Sequence, residues 1–163
     1  MLTTFRKYVA VLALASLPLT ALAAAAKADE AIAVAIKQQL QSYEQALNKS
    51  DIDAVVKLYA EDSVFMPQNS PAAVGRDAVR TAYRHVFDAI KLDIRFEIDE
   101  IRPLSNDWAY ARTHSTGTLK LLAGDKAQLP EANQELFILR RGEDGQWRFA
   151  RYIFSATNPP ATR

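Results

Sequence analysis

Cysteine is absent from this sequence, and histidine occurs only twice, at His85 and His114. Without cysteine the protein has neither disulfide bonds nor thiol chemistry, and the two histidines lack the spacing of metal ligands. The five glycines form no phosphate-binding loop, because Gly75-Arg76-Asp77 lacks the further glycines and the lysine of that motif. No glycine-flanked serine indicates a nucleophile elbow. The sequence therefore predicts no metal site and no cofactor.

No charge of one sign predominates, since the formal net charge is +1. Lysine and arginine are scattered among aspartate and glutamate without forming a basic stripe, so nucleic acid is not expected as a partner. The apolar run at residues 9–22 contains no charged residue, and no later run is long enough for a membrane span.

Two basic residues precede that apolar run, as in a secretory signal peptide. We expect residues 1–28 to be this signal, with cleavage after Ala23 or Ala28, where small residues suit the peptidase. A membrane anchor is the less favoured alternative, because the run is shorter than the roughly 20 residues needed and Pro18 interrupts it. The mature protein is expected to be periplasmic or secreted, with no membrane span after signal removal.

The remaining chain of about 135 to 140 residues can bury one core but hardly two. We expect a single domain at residues 29–158, held by packing alone, and a flexible tail at residues 159–163.

Periodicity predicts helices first and strands second. Residues 30–48 and 76–90 have apolar residues at helical spacing, and between them Ser50 or Asp51 can cap a short helix that carries Tyr59 on its inner side. Val64-Phe65-Met66 is predicted to be a strand or lining segment. After residue 90 the pattern alternates, and three further strands are predicted. The order indicates an α+β fold with helices packed on one face of a curved antiparallel sheet. The three further strands are predicted at residues 108–122, 133–141 and 146–155.

Two sets of strand residues are expected outside the pocket. Asp93, Arg95, Glu97 and Asp99 are interpreted as the solvated face of a strand. Trp147, Phe149 and Ile153 are interpreted as the core of a dimer interface on the outer sheet face, so a homodimer is expected.

Short motifs along the whole domain resemble one known group, the ketosteroid isomerase and SnoaL-like proteins of the nuclear transport factor 2-like superfamily. The first half carries the resemblance in Tyr43 to Asn48, Asp51-Ile52-Asp53, Tyr59-Ala60-Glu61-Asp62, Met66-Pro67, Gly75-Arg76 and Tyr83-Arg84. The second half carries it in Glu135 to Arg141 and in Gly145-Gln146-Trp147-Arg148.

The resemblance implies a cone-shaped α+β barrel, usually a homodimer, that holds a small hydrophobic ligand between its three N-terminal helices and its curved sheet. Tyr43, Tyr59 and Tyr83 fall on the three tyrosine positions of ketosteroid isomerases, where one tyrosine binds the substrate oxygen and two support it. The catalytic carboxylate position falls on Met66, or on Pro67 if the preceding gap is placed differently.

The second acid position of that group falls on Phe137. Because neither Met66 nor Phe137 can carry a proton, steroid isomerisation by the known route is not expected.

A different constellation is predicted from the hairpin centred near Gly124-Asp125. Antiparallel pairing would place His114 opposite Glu135 and Arg112 opposite Phe137, with Tyr152 nearby. His114 held by Glu135 would be a general base, and Arg112 could hold a substrate oxygen. A slip of one residue in the strand register would instead place His114 and Glu135 in a solvated or interfacial pair. The three tyrosines also have an alternative interpretation, as ordinary aromatic residues of the core.

The sequence thus predicts an exported small-molecule-binding protein with a hydrophobic pocket for a small apolar or aromatic ligand. The alternative is an isomerase, lyase or cyclase in which His114 and Glu135 act as the base and Tyr43 and Arg112 bind the substrate oxygen. A third possibility is a dimeric interaction domain with a collapsed cavity. The predicted pocket residues are Tyr43, Tyr59, Phe65, Met66, Tyr83, Phe87, Arg112, His114, Glu135, Phe137, Tyr152 and Phe154.

Overall fold

The structure is a computed structural model that describes the backbone of residues 19–158 and the side chains of residues 23–158. Most of the predicted signal peptide and the predicted tail at residues 159–163 lie outside this range. Ala23 and Ala28, the two predicted cleavage positions, lie in the first helix, on a stretch with exposed side chains. Within the described residues no helix combines the length and apolar character needed to cross a membrane.

Three helices form one layer of the domain: α1 at Leu19–Lys49, α2 at Ile52–Lys57 and α3 at Arg76–Ala89. α1 begins earlier than predicted because the alanine-rich residues before its amphipathic part are strong helix formers. Asp51 is the cap of α2, since its carboxylate accepts a hydrogen bond from the backbone N–H of Ala54 at 2.9 Å.

Six strands form the second layer, in the spatial order β2-β1-β6-β5-β4-β3. β1 and β6 run parallel to each other, and all other neighbours are antiparallel. The predicted α+β architecture, with N-terminal helices on a curved sheet, is confirmed. The strands are β1 at Tyr59–Met66, β2 at Ala73–Val74, β3 at Ile90–Pro103, β4 at Trp108–Leu121, β5 at Gln128–Arg141 and β6 at Trp147–Ala156.

Tyr59 does not belong to α2, as its helical spacing predicted, but is the first residue of β1. α2 ends at Lys57, and the chain then pairs Tyr59 with Phe149 of β6 in parallel register. The Tyr59 side chain is nevertheless fully buried. Tertiary pairing has therefore overridden a local helical pattern without changing which way the ring faces.

Trp147 and Phe149 are core residues, and the prediction that they form an outer interface is wrong. The register of β5 and β6 shifts between the pairs Ile138↔Arg151 and Leu139↔Phe149, so one extra residue of β6 is accommodated there. This bulge turns Phe149 to the same inner side as Tyr152. Phe149 packs against the ring of Tyr43 with 5.2 Å between centroids.

The outer strand β3 is secured by polar side chains of α1. The Asn48 side chain donates to the backbone carbonyl of Ile94 at 2.8 Å and accepts from the Ile94 N–H at 2.9 Å. Glu44 accepts from the Phe96 N–H at 2.7 Å. These bonds satisfy backbone groups of a strand that has a neighbour on one side only, and they hold the helix over the concave face of the sheet.

Gly117 of β4 allows the curved sheet to bend closely onto β3. A Cβ atom at this position would collide with the backbone carbonyl of Asp93 and lie 2.7 Å from the Cα of Ile94. Only glycine therefore fits where the two strands come closest. The close approach lies beside the space enclosed by the helices and the sheet.

Candidate functional site

A cavity of about 270 Å³ lies between α1, α3 and the concave face of the sheet. Its wall is mainly apolar, and the polar residues of the wall are concentrated on β4, on β5 and in the segment that follows β6. The apolar and aromatic wall includes Tyr43, Leu47, Phe65, Tyr83, Val86, Leu92, Ile94, Phe96, Leu119, Tyr152 and Phe154, and the polar part consists of Ser115, Glu131, Asn133, Glu135 and Asn158. A mainly apolar cavity with a few convergent polar groups has the make-up of a small-molecule site.

The three tyrosines meet at one point in the interior. The hydroxyl of Tyr83 forms hydrogen bonds with the hydroxyls of both Tyr43 and Tyr59, and the Tyr59–Tyr83 distance is 2.8 Å. Burial raises the pKa of all three phenols above the ordinary value, so they stay protonated. Tyr43 and Tyr83 line the cavity, whereas Tyr59 supports them from the core.

The positions that hold acid and base in ketosteroid isomerases bring no proton carrier to this cavity. Met66 does not line it, although the neighbouring Pro67 does. Phe137 is fully buried and stacks on Tyr152 with 4.2 Å between ring centroids. These residues supply packing rather than chemistry.

Glu135 is the buried carboxyl of the site, with 3% of its surface exposed. Thr113 donates a hydrogen bond to its Oε2 at 2.5 Å, and Ser115 donates one to its Oε1 at 2.6 Å. Burial raises the pKa of Glu135, while the two hydroxyl donors oppose that rise. Thr113 and Ser115 therefore hold a carboxylate whose position is well defined on the concave face.

A second carboxyl, Glu131, lies four residues earlier on the same face of β5. Its Oε1 accepts a hydrogen bond from the side-chain amide of Asn133. Its Oε2 is shielded from solvent and has no hydrogen-bond partner among the residues described. Burial, with a further contribution from the charge of Glu135, raises the pKa of Glu131 to about 7. A carboxyl with this pKa exchanges protons near neutral pH.

His114 does not pair with Glu135, and that predicted constellation is wrong. In the hairpin of β4 and β5, His114 lies opposite Gln134, Arg112 opposite Leu136 and Thr113 opposite Glu135. The predicted loop centre lay between Gly124 and Asp125. The N–H of Leu121 bonds the carbonyl of Ala127 at 2.9 Å, which leaves an odd number of loop residues centred on Gly124. The shift of one residue moves His114 and Arg112 to the outer face.

On that outer face, His114 and Arg112 join an exposed network with acidic residues of β3. The Nδ1 of His114 lies 2.9 Å from Asp99, and its Nε2 lies 3.4 Å from Glu97. Arg112 donates to Asp99 at 2.8 Å and to Glu100 at 3.2 Å. The solvated interpretation of this strand face is confirmed, and ion pairs of this exposure contribute little to stability.

The structure brings half of the predicted pocket residues to the cavity. Tyr43, Phe65, Tyr83, Glu135, Tyr152 and Phe154 line it, whereas Tyr59, Met66, Phe87, Arg112, His114 and Phe137 do not. Tyr152 is near Glu135 as predicted, but Glu135 itself lies opposite Phe154.

Sequence reasoning missed Thr113, Ser115, Glu131 and Asn133. Of these, Ser115 donates a hydrogen bond to Glu135. The signal that could have found these residues is alternation: Glu131, Asn133 and Glu135 share one face of β5, and Thr113 and Ser115 lie on the same face of the sheet in the neighbouring strand β4.

Comparison with known proteins supports this architecture. The family described as SnoaL-like domain matches residues 40–157. A ketosteroid isomerase-like protein from Erwinia carotovora atroseptica has 38% sequence identity and a TM-score of 0.74, over 77% of this chain and 96% of that chain.

Two more distant structures share the fold alone. A conserved protein from Planctomyces limnophilus is 22% identical, with a TM-score of 0.69 over 78% of this chain and 98% of that one. A nuclear transport factor 2-like protein with a cystatin-like fold from Novosphingobium aromaticivorans is 20% identical, with a TM-score of 0.64 over 90% of this chain and 94% of that one. Since the family match at residues 40–157 spans most of the domain and the Erwinia structure is matched over nearly its whole length, the protein belongs to the SnoaL-like domain family.

Proposed function

We propose that this protein binds a small, largely apolar molecule in the cavity, with a polar group of the ligand directed at Glu131 and Glu135. The observation that carries the proposal is the division of the cavity wall into an extended apolar part and one polar end. Apolar burial would supply the affinity, and the two carboxyls would orient the ligand. A volume of about 270 Å³ lies near the lower end of the usual range for ligand sites, so the ligand is small.

A thermal-shift screen against a broad panel of small aromatic and alicyclic molecules tests this proposal. Ligands that raise the melting temperature are then compared between two variants of α3. Val86→Phe places a ring in the cavity, and its neighbour His85→Phe adds the same ring on the exposed side of the helix. We expect binding to be lost in Val86→Phe and retained in His85→Phe. A panel without any stabilising ligand, or equal binding by both variants, would overturn the proposal.

A second candidate function is proton transfer by Glu131. The specific observation is a cavity-facing carboxyl whose pKa of about 7 suits a general acid or base at neutral pH. Incubation of the protein with small ketones in D₂O, followed by NMR, would detect exchange of the protons beside the carbonyl. Catalysed exchange should disappear in Glu131→Gln and persist in His114→Ala. Exchange that depends on His114 instead would contradict this assignment.

We further propose that the protein is exported and that its signal peptide is cleaved. The charge-free apolar run behind two basic residues supports this, as does the exposed position of Ala23 and Ala28 on α1. Mass spectrometry of the N-terminus of protein from periplasmic extract or culture medium should find Ala24 or Asp29. An intact Met1 in protein confined to the cytoplasm would contradict export.

The proposed assembly is a homodimer formed through the outer face of the sheet. Leu136 and Ile153, which are partners across β5 and β6, are 39% and 45% exposed there. Light scattering coupled to size-exclusion chromatography should show a dimer that Leu136→Asp dissociates. Arg84→Asp, an exposed site on α3, should leave the dimer intact. A monomeric wild-type protein would refute this assembly.

A further inference from the structure

The charged residues of the cavity wall are all of one sign. Glu131 and Glu135 line it, and among the described wall residues there is no lysine, arginine or histidine. From the neighbouring elements, β4 contributes Ser115 and Leu119, and the segment after β6 contributes Asn158. A ligand carboxylate or phosphate would therefore meet negative charge in a mainly apolar cavity without a cation to offset it.

The two carboxyls are not equivalent. Both oxygens of Glu135 already accept hydrogen bonds, from Thr113 and Ser115. Glu131 has one oxygen bonded to Asn133, but its Oε2 is shielded from solvent and unpartnered among the residues described. A buried acceptor without a donor costs free energy, so a ligand that reaches Glu131 and donates a hydrogen bond to its carboxylate removes that cost.

A cationic donor satisfies more of this site than a neutral one. A neutral hydroxyl could bond the Glu131 carboxylate, but it would not offset the negative charge of the ionised carboxyls in a mainly apolar cavity. A protonated amine supplies the hydrogen bond and offsets that charge together, and charge-assisted bonds of this kind are stronger than neutral ones.

We propose that the ligand of this cavity is a small apolar or aromatic amine, bound as its ammonium form with an N–H donated to the carboxylate of Glu131. The proposal rests on the proposed function, since it names the chemical class of the molecule that the cavity binds. Glu135, held by Thr113 and Ser115, supplies a second negative charge close to the ammonium group. Small anions of the same shape are excluded by the same two residues.

Three probes with the same ring separate the possibilities: 2-phenylethylamine, 2-phenylethanol and phenylacetate. Isothermal titration calorimetry at pH 7 should show the amine binding at least about tenfold more tightly than the alcohol and no binding of phenylacetate. Glu131→Gln should weaken the amine at least about tenfold while retaining the alcohol. Glu143→Gln, in the exposed turn between β5 and β6, is the matched control and should bind like the wild type.

Proton release gives an independent readout. Because Glu131 has a pKa of about 7, an ammonium group that binds its charged form should displace about half a proton at pH 7. Titrations in buffers of different ionisation enthalpy measure that number, and it should fall to zero in Glu131→Gln. Amine affinity should also rise between about pH 5.5 and pH 8 as Glu131 loses its proton.

Alcohol binding that equals amine binding, or amine binding unaffected by Glu131→Gln, would overturn this inference while leaving the proposed function standing. If none of the three probes binds but the broad screen finds neutral ligands that Val86→Phe excludes, the inference again fails alone. If the screen finds no ligand of any class, both proposals fail.

Discussion

Replacing Glu131 by glutamine should abolish the part of the stability loss at rising pH that comes from the ionisation of Glu131. In the folded protein the pKa of Glu131 is about 7, compared with the ordinary value of 4.5 expected in the unfolded chain. The folded state therefore binds the proton more tightly. The free energy of unfolding should decrease as the pH rises from about 4.5 to about 7, and the decrease should be complete above that range.

The size of the effect follows from the difference between the two pKa values. A rise from 4.5 to about 7 corresponds to at most about 3.4 kcal/mol of lost stability above pH 7. Glu131 is only partly buried, and solvent in the cavity screens its charge, so we expect about 1 to 2 kcal/mol. Glutamine keeps the shape of the side chain and its bond to Asn133 but cannot ionise.

Urea unfolding at intervals between pH 5 and pH 8.5 measures this difference. The stability of Glu131→Gln relative to the wild type should increase by about 1 to 2 kcal/mol across that range, with unchanged m values. The difference in stability between the two proteins removes the pH-dependent contribution of the other titrating groups. Glu135 is the exception, because its charge is coupled to that of Glu131. Glu143→Gln should follow the wild-type curve. Parallel curves for Glu131→Gln and the wild type would refute the placement of Glu131 in a partly buried, mainly apolar cavity.

Three further substitutions test the framework of the site by chemical unfolding. Tyr83→Phe removes the hydroxyl that is hydrogen-bonded to the other two tyrosines, and it should lower the free energy of unfolding by about 1 to 3 kcal/mol. A negligible decrease would show that the buried hydroxyls do not depend on one another. Gly117→Ala should lower the free energy of unfolding by at least about 1 kcal/mol, because the alanine Cβ would lie 2.7 Å from the Cα of Ile94. Unchanged stability would disprove the close approach of the two strands. Asp51→Ala should cost about 1 kcal/mol through loss of the α2 cap, whereas Ser50→Ala should cost less; the reverse order would move the cap to Ser50.

The fold was predictable because its signals are local and repeated. Hydrophobic spacing predicted α3 to within one residue, and alternation identified the solvated face of β3. Each of these patterns reports which side of its own element is buried, and many residues contribute to it. The same locality explains the error at Tyr59. Its helical spacing was real, but pairing with Phe149 in the sheet decided its structure.

The candidate site was predictable only in part, since its residues come together through strand register. Glu135 was identified correctly as a cavity residue, but its partners are Thr113 and Ser115 rather than His114. A loop with one residue more or fewer between β4 and β5 reverses every side chain of one strand relative to the other. The bulge in β6 had the same effect on Phe149.

By itself, the sequence determined the family, the α+β order of helices and strands, the position of the tyrosine trio and the absence of a carboxyl at Met66 and Phe137. These conclusions need only residue identity and short-range periodicity. The tertiary structure alone decided that Glu131 and Glu135 share a cavity and that His114 does not. The physical reason is that loop length and bulges decide which face of the sheet a strand residue occupies. The energies of alternative registers differ too little to be predicted from the sequence. The burial that results from the register then sets the pKa of each carboxyl.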